Sequence, residues 1–170
     1  MRLHYYNLIT LVIRSFNIGK KEVQMNKFFM FSLSAIIFLA LNSNVQSAQL
    51  DIDMLNKRSD GEKMVYSQDV VYINSNDTIN WLPTSPGHNV EFIAYPAEAD
   101  VPQKPSKVGK EFSFTFTEPG IYLYQCSPHK SMGMIAIVVV NDDKSNLAEV
   151  ASTKVVGKSK KKLEQLISGL

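Results

Sequence analysis

The chain has 170 residues, 45% hydrophobic and 20% charged, with a formal net charge of +2; that suits one globular domain behind a leader. One cysteine excludes an intrachain disulfide and any zinc or iron–sulfur site built from several thiolates, and three histidines exclude a large multi-metal enzyme centre.

Residues 25–47 read as a secretory signal. Met25-Asn26-Lys27 gives a positive start, residues 28–41 form an apolar run, and small residues close the segment. The run, about fourteen residues, is short against the roughly twenty of a transmembrane span. Cleavage after Ser47 fits the small-residue rule, with Ala48 as the alternative. Residues 1–24 lie upstream of this signal and read as a start-site extension. With no cysteine in the leader, a lipid anchor is not expected, and no membrane anchor should remain after processing. The exported chain, residues 48–170, carries 13 Lys+Arg against 15 Asp+Glu, a net of −2. The basic excess therefore belongs to the leader, and a nucleic-acid partner loses its support.

The exported chain reads first as strands. Leu50, Ile52 and Met54 alternate with Asp51 and Asp53, the pattern of a half-buried strand. Asp60-Gly61 is a turn before Met64-Val65-Tyr66. Val70-Val71-Tyr72-Ile73 and Thr78-Ile79-Asn80-Trp81-Leu82 follow, divided by the turn-forming Asn74-Ser75-Asn76-Asp77. Residues 95–110 are polar, hold three prolines and read as a surface loop. Phe112, Phe114 and Phe116 form the clearest period-two stripe, and Glu118-Pro119-Gly120 turns the chain into residues 121–125. Residues 134–140 are apolar on both parities, so both faces of that strand should be buried.

After Asn141 the pattern changes. Asn146 followed by Glu149 predicts a capped helix N-terminus. Residues 158–167 predict a second short helix with Leu163, Leu166 and Ile167 on one face. Lys158 and Lys160, Lys161 and Lys162 on it read as a solvated helix face. The expected fold is all-β: a Greek-key β-sandwich over residues 48–141, with two short helices in residues 142–170 packed on it.

Chemistry concentrates in two loops. Tyr124-Gln125-Cys126-Ser127-Pro128-His129-Lys130-Ser131-Met132-Gly133-Met134 places a thiol, an imidazole and two thioethers between the last two strands. Pro86-Gly87-His88-Asn89-Val90-Glu91 supplies the other exported histidine. Two histidines, one cysteine and a weak axial methionine make the trigonal donor set of a blue copper centre. Singly, each residue has a plainer reading as core or turn; jointly, in an exported chain where a bare thiol risks oxidation, they read as a site for one type 1 copper ion.

These segments resemble the pseudoazurins, periplasmic members of the cupredoxin (blue copper) family. Met54-Leu55-Asn56-Lys57 is similar to the family's first strand, Gly87-His88-Asn89-Val90-Glu91 to its upstream ligand segment, and Cys126-Ser127-Pro128-His129 with Met132-Gly133-Met134 to its ligand loop. The resemblance implies His88 Nδ1, Cys126 Sγ and His129 Nδ1 as strong ligands and Met134 Sδ as the axial one. It also implies an Asn89 backbone N–H donated to the cysteine sulfur. Met132 remains an axial alternative, because its six-residue spacing from Cys126 resembles amicyanin. With Met134 as ligand, Met132 and Pro128 line the site, and with Pro86 they surround the emerging edge of His129.

The family reading further implies a monomeric periplasmic one-electron carrier, not an enzyme, whose redox partner is a nitrite reductase or a c-type cytochrome. Lys57, Lys104, Lys107 and Lys130 are the expected docking residues. The usual lysine ring is only partly kept, since Pro86 and Gln125 stand where members often carry lysine. A copper-trafficking module would offer more exposed Met, His or paired Cys, and a multi-copper enzyme would need more histidines than this chain has.

Overall fold

The computed structural model describes residues 47–170. The start-site extension and all of the expected signal except Ser47 lie outside the described residues.

Eight strands follow one another: β1 (Gln49–Lys57), β2 (Lys63–Tyr66), β3 (Val70–Ile73), β4 (Thr78–Leu82), β5 (Glu91–Ala94), β6 (Phe112–Thr115), β7 (Gly120–Gln125) and β8 (Ile135–Val140). A 3-10 turn, Ser127–His129, interrupts the β7–β8 connection, and helices α1 (Leu147–Ala151) and α2 (Ser159–Ser168) end the chain. One sheet has the order β2-β1-β4-β6 and the other β3-β8-β7-β5. Successive strands stay within a sheet only at β1–β2 and β7–β8; every other connection crosses the sandwich. Strand β1 therefore meets β4, and β3 meets β8, in parallel. The all-β Greek-key sandwich with two C-terminal helices is the architecture expected from the sequence.

Period-two patterning builds the space between the sheets. Ile52 and Met54 of β1 and Ile79 and Trp81 of β4 are fully buried there. Trp81 anchors an aromatic cluster, stacked on Phe112 at 5.5 Å and edge-on to Tyr124 at 5.2 Å. Such pairs add about 0.5–1.5 kcal/mol each beyond simple burial.

The second sheet is buried on both faces, as the apolar run of residues 134–140 predicts. Tyr122, Tyr124, Met134, Ala136, Val138 and Val140 face the inter-sheet core. The opposite parity, Ile121, Leu123, Ile135, Ile137 and Val139, packs under Val150 of α1 and Leu163 and Leu166 of α2. Helices this short are unstable alone; this apolar face stabilises them.

Two expectations need correction. The loop over residues 95–110 is not wholly on the surface, because Val101 is buried in the main core. Asn146 stands at the N-terminus of α1 but its side chain caps nothing there. It instead accepts from the backbone N–H of Ile121 and donates to the Ile121 carbonyl, both at 2.9 Å. Ile121 lies past the part of β7 that β5 pairs with; its buried backbone groups need a partner more than an exposed helix end does, and Asn146 satisfies them.

Candidate metal centre

The two ligand-bearing loops meet at one end of the sandwich because of strand parity. Tyr122 and Tyr124 point inward, so the next inward position on that strand path is Cys126; Met134 opens the same inward row on β8. The Cys126 N–H donates to the Met134 carbonyl at 2.9 Å, a last rung that holds the two residues abreast. Between them the chain curls. Pro128 sits in the first turn of the 3-10 segment, where its fixed φ and missing N–H cost nothing. The His129 N–H donates to the Cys126 carbonyl at 3.0 Å and the Met132 N–H to the His129 carbonyl at 2.9 Å. This folds His129 back over the sulfur. His88 arrives from the connection between β4 and β5.

The donor atoms converge. His88 Nδ1 lies 3.1 Å from His129 Nδ1, and Cys126 Sγ lies 3.7 Å and 3.4 Å from those two nitrogens. A triangle of these sides has a centre about 2.0 Å from each corner, the length of a metal–nitrogen bond and slightly under a metal–sulfur bond. The donors are therefore already spaced for one ion. His88, Cys126 and Met134 are fully buried, and His129 keeps one partly exposed edge.

Protonation suits a metal as well. His88 Nε2 sits 2.9 Å from Asn56 Oδ1, an acceptor, which places the ring proton on Nε2 and leaves the Nδ1 lone pair facing the sulfur. Burial first, and then the neighbouring His129, lower the His88 pKa and favour this neutral ring. Burial pushes the Cys126 thiol up, while backbone N–H donors from Asn89 and His129 pull the other way. These two amide dipoles favour a thiolate once a cation compensates the buried charge.

The comparisons agree with the donor set. The sequence pattern of the family described as "Copper binding proteins, plastocyanin/azurin family" matches residues 52–141. The chain belongs to that family, as a cupredoxin of the pseudoazurin type. It is 34% identical over 131 residues to a pseudoazurin of Paracoccus pantotrophus, covering 77% of this chain and 90% of the relative. It is 33% identical over 126 residues to a putative pseudoazurin of Rhizobium leguminosarum bv. viciae, covering 74% and 82%. The crystal structure of pseudoazurin from Methylobacterium extorquens AM1 superposes with a TM-score of 0.65 at 36% identity, covering 71% of this chain and 98% of that one. This cupredoxin is thus a blue copper electron-transfer protein whose cofactor is a copper ion of type 1.

Its two methionine candidates are separated by the fold. Met134 is fully buried in the same core cluster as Cys126, whereas Met132 is 44% exposed. Pro86 and Pro128 are exposed near the His129 edge. Lys57, Lys107 and Lys130 each adjoin a residue bonded into the site: Asn56, Ser106 and His129. Lys104 is exposed on the loop two residues before Ser106.

Several supporting residues carried no sequence signal. Besides Asn56, the buried Tyr66 hydroxyl donates to the Asn89 carbonyl at 2.8 Å. Burial pushes that phenol well above its ordinary pKa, so it remains a donor. Ser127 Oγ and Gln125 Nε2 both donate to Glu91 Oε2, at 2.9 Å and 2.8 Å. Each joins segments far apart in the chain, and no local pattern marks such pairings.

Proposed function

We propose that His88 Nδ1, Cys126 Sγ and His129 Nδ1 hold the copper in a trigonal plane, with Met134 Sδ as the axial ligand. The protein then acts as a monomeric periplasmic one-electron carrier, and its partner is a nitrite reductase or a c-type cytochrome. The observation that carries the ligand assignment is the convergence of three donors at 3.1 Å, 3.4 Å and 3.7 Å beside a fully buried Met134. Bound copper supplies the redox change: thiolate and thioether favour Cu(I), while imidazole accommodates both states.

The protein's own part is rigidity and access. Cys126 and Met134 are held by the β7–β8 ladder, His88 by Asn56, and His129 by the 3-10 turn, so little moves when the charge changes. Only His129 has an edge open to solvent, and that edge, framed by Pro86, Pro128 and Met132, is the route for the electron. Lys57, Lys104, Lys107 and Lys130 are assigned to the docking rim. Periplasmic location rests on the signal-like segment at residues 25–47; among the described residues no helix is long and apolar enough to cross a membrane. The fully buried thiolate ligand favours retention of the metal over its delivery.

The deciding experiment adds one equivalent of Cu(II) to the purified protein and records visible absorption and EPR. An intense thiolate-to-copper band is expected, and Cys126→Ala should lose it while staying folded. A pale, ordinary Cu(II) spectrum from folded protein would overturn the assignment.

A further inference from the structure

We propose that the Glu91 carboxylate sets the balance between Cu(II) and Cu(I): it holds both neighbours of Cys126, and its negative charge stabilises the oxidised site. The inference rests on the carrier reading above and adds to it a residue that fixes the potential without touching the metal.

Strand parity puts Glu91 on the face opposite the ligand row. Val90 and Phe92 turn into the main core, so Glu91 between them lies on the other face of the sheet. Its register partner on β7 is Gln125, the residue before Cys126. Glu91 Oε2 accepts from Gln125 Nε2 at 2.8 Å and from Ser127 Oγ, on the residue after Cys126, at 2.9 Å. One carboxylate oxygen therefore grips the chain on both sides of the ligand.

The bonds form a chain that ends on this charge. Asn89 Nδ2 donates to Ser127 Oγ at 3.2 Å, and that hydroxyl donates in turn to Glu91. Bonds to an ionised acceptor are the strong ones, and each polarises the next. The two donors on Glu91, a hydroxyl and an amide, are neutral and do not cancel its charge. Among the described residues Glu91 enters no ion pair. Its field reaches the interior: after burial, Tyr124 and Cys126, Glu91 is a further cause that raises the pKa of the buried Tyr66 phenol, the group bonded to the Asn89 carbonyl.

The sign follows from Coulomb's law. Reduction brings one electron from an external donor into the site, lowers its net charge by one and weakens its attraction to Glu91. The carboxylate therefore opposes reduction. Glu91 is half-buried, where salt screens a charge less than at an open surface. Glu118 gives the contrast. It precedes Gly120, at the opposite end of the β7–β8 ladder that runs from Gly120 beside Val140 to Gln125 beside Ile135. That ladder is about 17 Å long at the usual rise per residue, about two Debye lengths at physiological ionic strength.

The test equilibrates the copper protein with the hexacyanoferrate(II)/(III) couple at neutral pH and high salt, where one electron passes from iron(II) to Cu(II). Glu91→Gln should move that equilibrium toward Cu(I) by about threefold or more, and Glu91→Ala, which lacks the charge as well, should move it the same way. Glu91→Asp, which keeps the charge, should stay near the wild type, and Glu118→Gln should leave it unchanged. An unmoved Glu91→Gln, or a Glu91→Asp shifted as far, would overturn the proposal. The apoprotein gives a readout without copper. By amide NMR, Glu91→Gln should shift the Gln125 side-chain amide and the Ser127 backbone amide; shifts confined to residues 90–92 would overturn the clamp. Wild-type protein with no thiolate-to-copper band would overturn the carrier reading instead, and the apoprotein spectra would still decide the clamp.

Discussion

The side chain of Asn89 clasps Ser127 across 38 positions of sequence: Oδ1 accepts from the Ser127 N–H at 2.8 Å and Nδ2 donates to Ser127 Oγ at 3.2 Å. The same Nδ2 donates to the Ser106 carbonyl at 3.1 Å. One residue therefore joins the loop of His88, the loop of Cys126 and the loop over residues 95–110. Its backbone N–H meanwhile favours the thiolate form of Cys126. Asn89→Ala keeps that N–H but leaves the Ser127 amide without its acceptor. A loss of about 1–3 kcal/mol in the apoprotein is expected, read as a lowered melting temperature. An unchanged melting temperature would show that the clasp is dispensable.

Asn56 acts through His88. With its Oδ1 accepting from Nε2, the imidazole is held in the tautomer that frees Nδ1. Asn56→Ala should weaken copper binding about 10–100-fold, the usual cost of losing such a partner. Asn56→Asp, which keeps an acceptor, should recover most of the loss. Competition against a copper chelator measures both, and equal losses in the two variants would mean that the acceptor is not what matters.

The methionines can be told apart electrochemically. Met134→Gln exchanges a buried thioether for a harder oxygen donor and should lower the reduction potential while keeping copper. Met132→Gln, at an exposed position, should leave the potential where it was. Voltammetry of the two variants decides the axial position; a shift in Met132→Gln alone would restore the six-residue spacing.

How far the sequence could be read follows from the range of each signal. The alternation along β1 and β4 and the apolar parity of β8 are local, and the strands formed where those patterns lie. The Cys126–His129 loop was legible because its donors are close in sequence and scarce in composition. Asn146 misled, since a capping pattern and a buried clasp on β7 use the same residue type and only the tertiary neighbour decides between them. Lys158, Lys160 and Lys161 are exposed, as a solvated helix face predicts, but helical spacing does not show that Lys162 meets Asp69. Asn56 and Tyr66 were silent for the same reason: their partners lie 32 and 23 positions away.

Asp69 links the C-terminal helix to the first hairpin and sets an acid limit on the fold. Burial opposes its ionisation, but hydrogen bonds from Arg58 and Lys162 outweigh that and hold its pKa below the ordinary value. A carboxyl whose folded pKa is depressed contributes stability that is complete above its unfolded value, about 3.9, and is lost as pH falls through the folded one. Asp69→Asn should cost about 1–3 kcal/mol at neutral pH and flatten the stability profile below pH ~4. Urea melts at pH 7 and pH 3 test this. A mutant penalty equally large at both would exclude the charge as its source.

Gly157 holds the copper-binding loop by having no side chain. Its φ is +60°, and a Cβ built there would lie 2.3 Å from the Ser131 carbonyl oxygen without any flexible atom to give way. Gly61 also has a positive φ, +94°, but a Cβ there meets nothing within 4 Å. Both alanine variants carry backbone strain; only Gly157→Ala must also push Ser131 aside, and with it the Lys158 and Ser159 bonds to the loop. Gly61→Ala should therefore lose about 1 kcal/mol with an unaltered EPR spectrum. Gly157→Ala should lose several times more and change the copper hyperfine splitting, because the displaced residues follow directly on His129. If Gly157→Ala lowered stability but left the spectrum of the copper protein untouched, α2 would brace the sheet alone and not the metal loop.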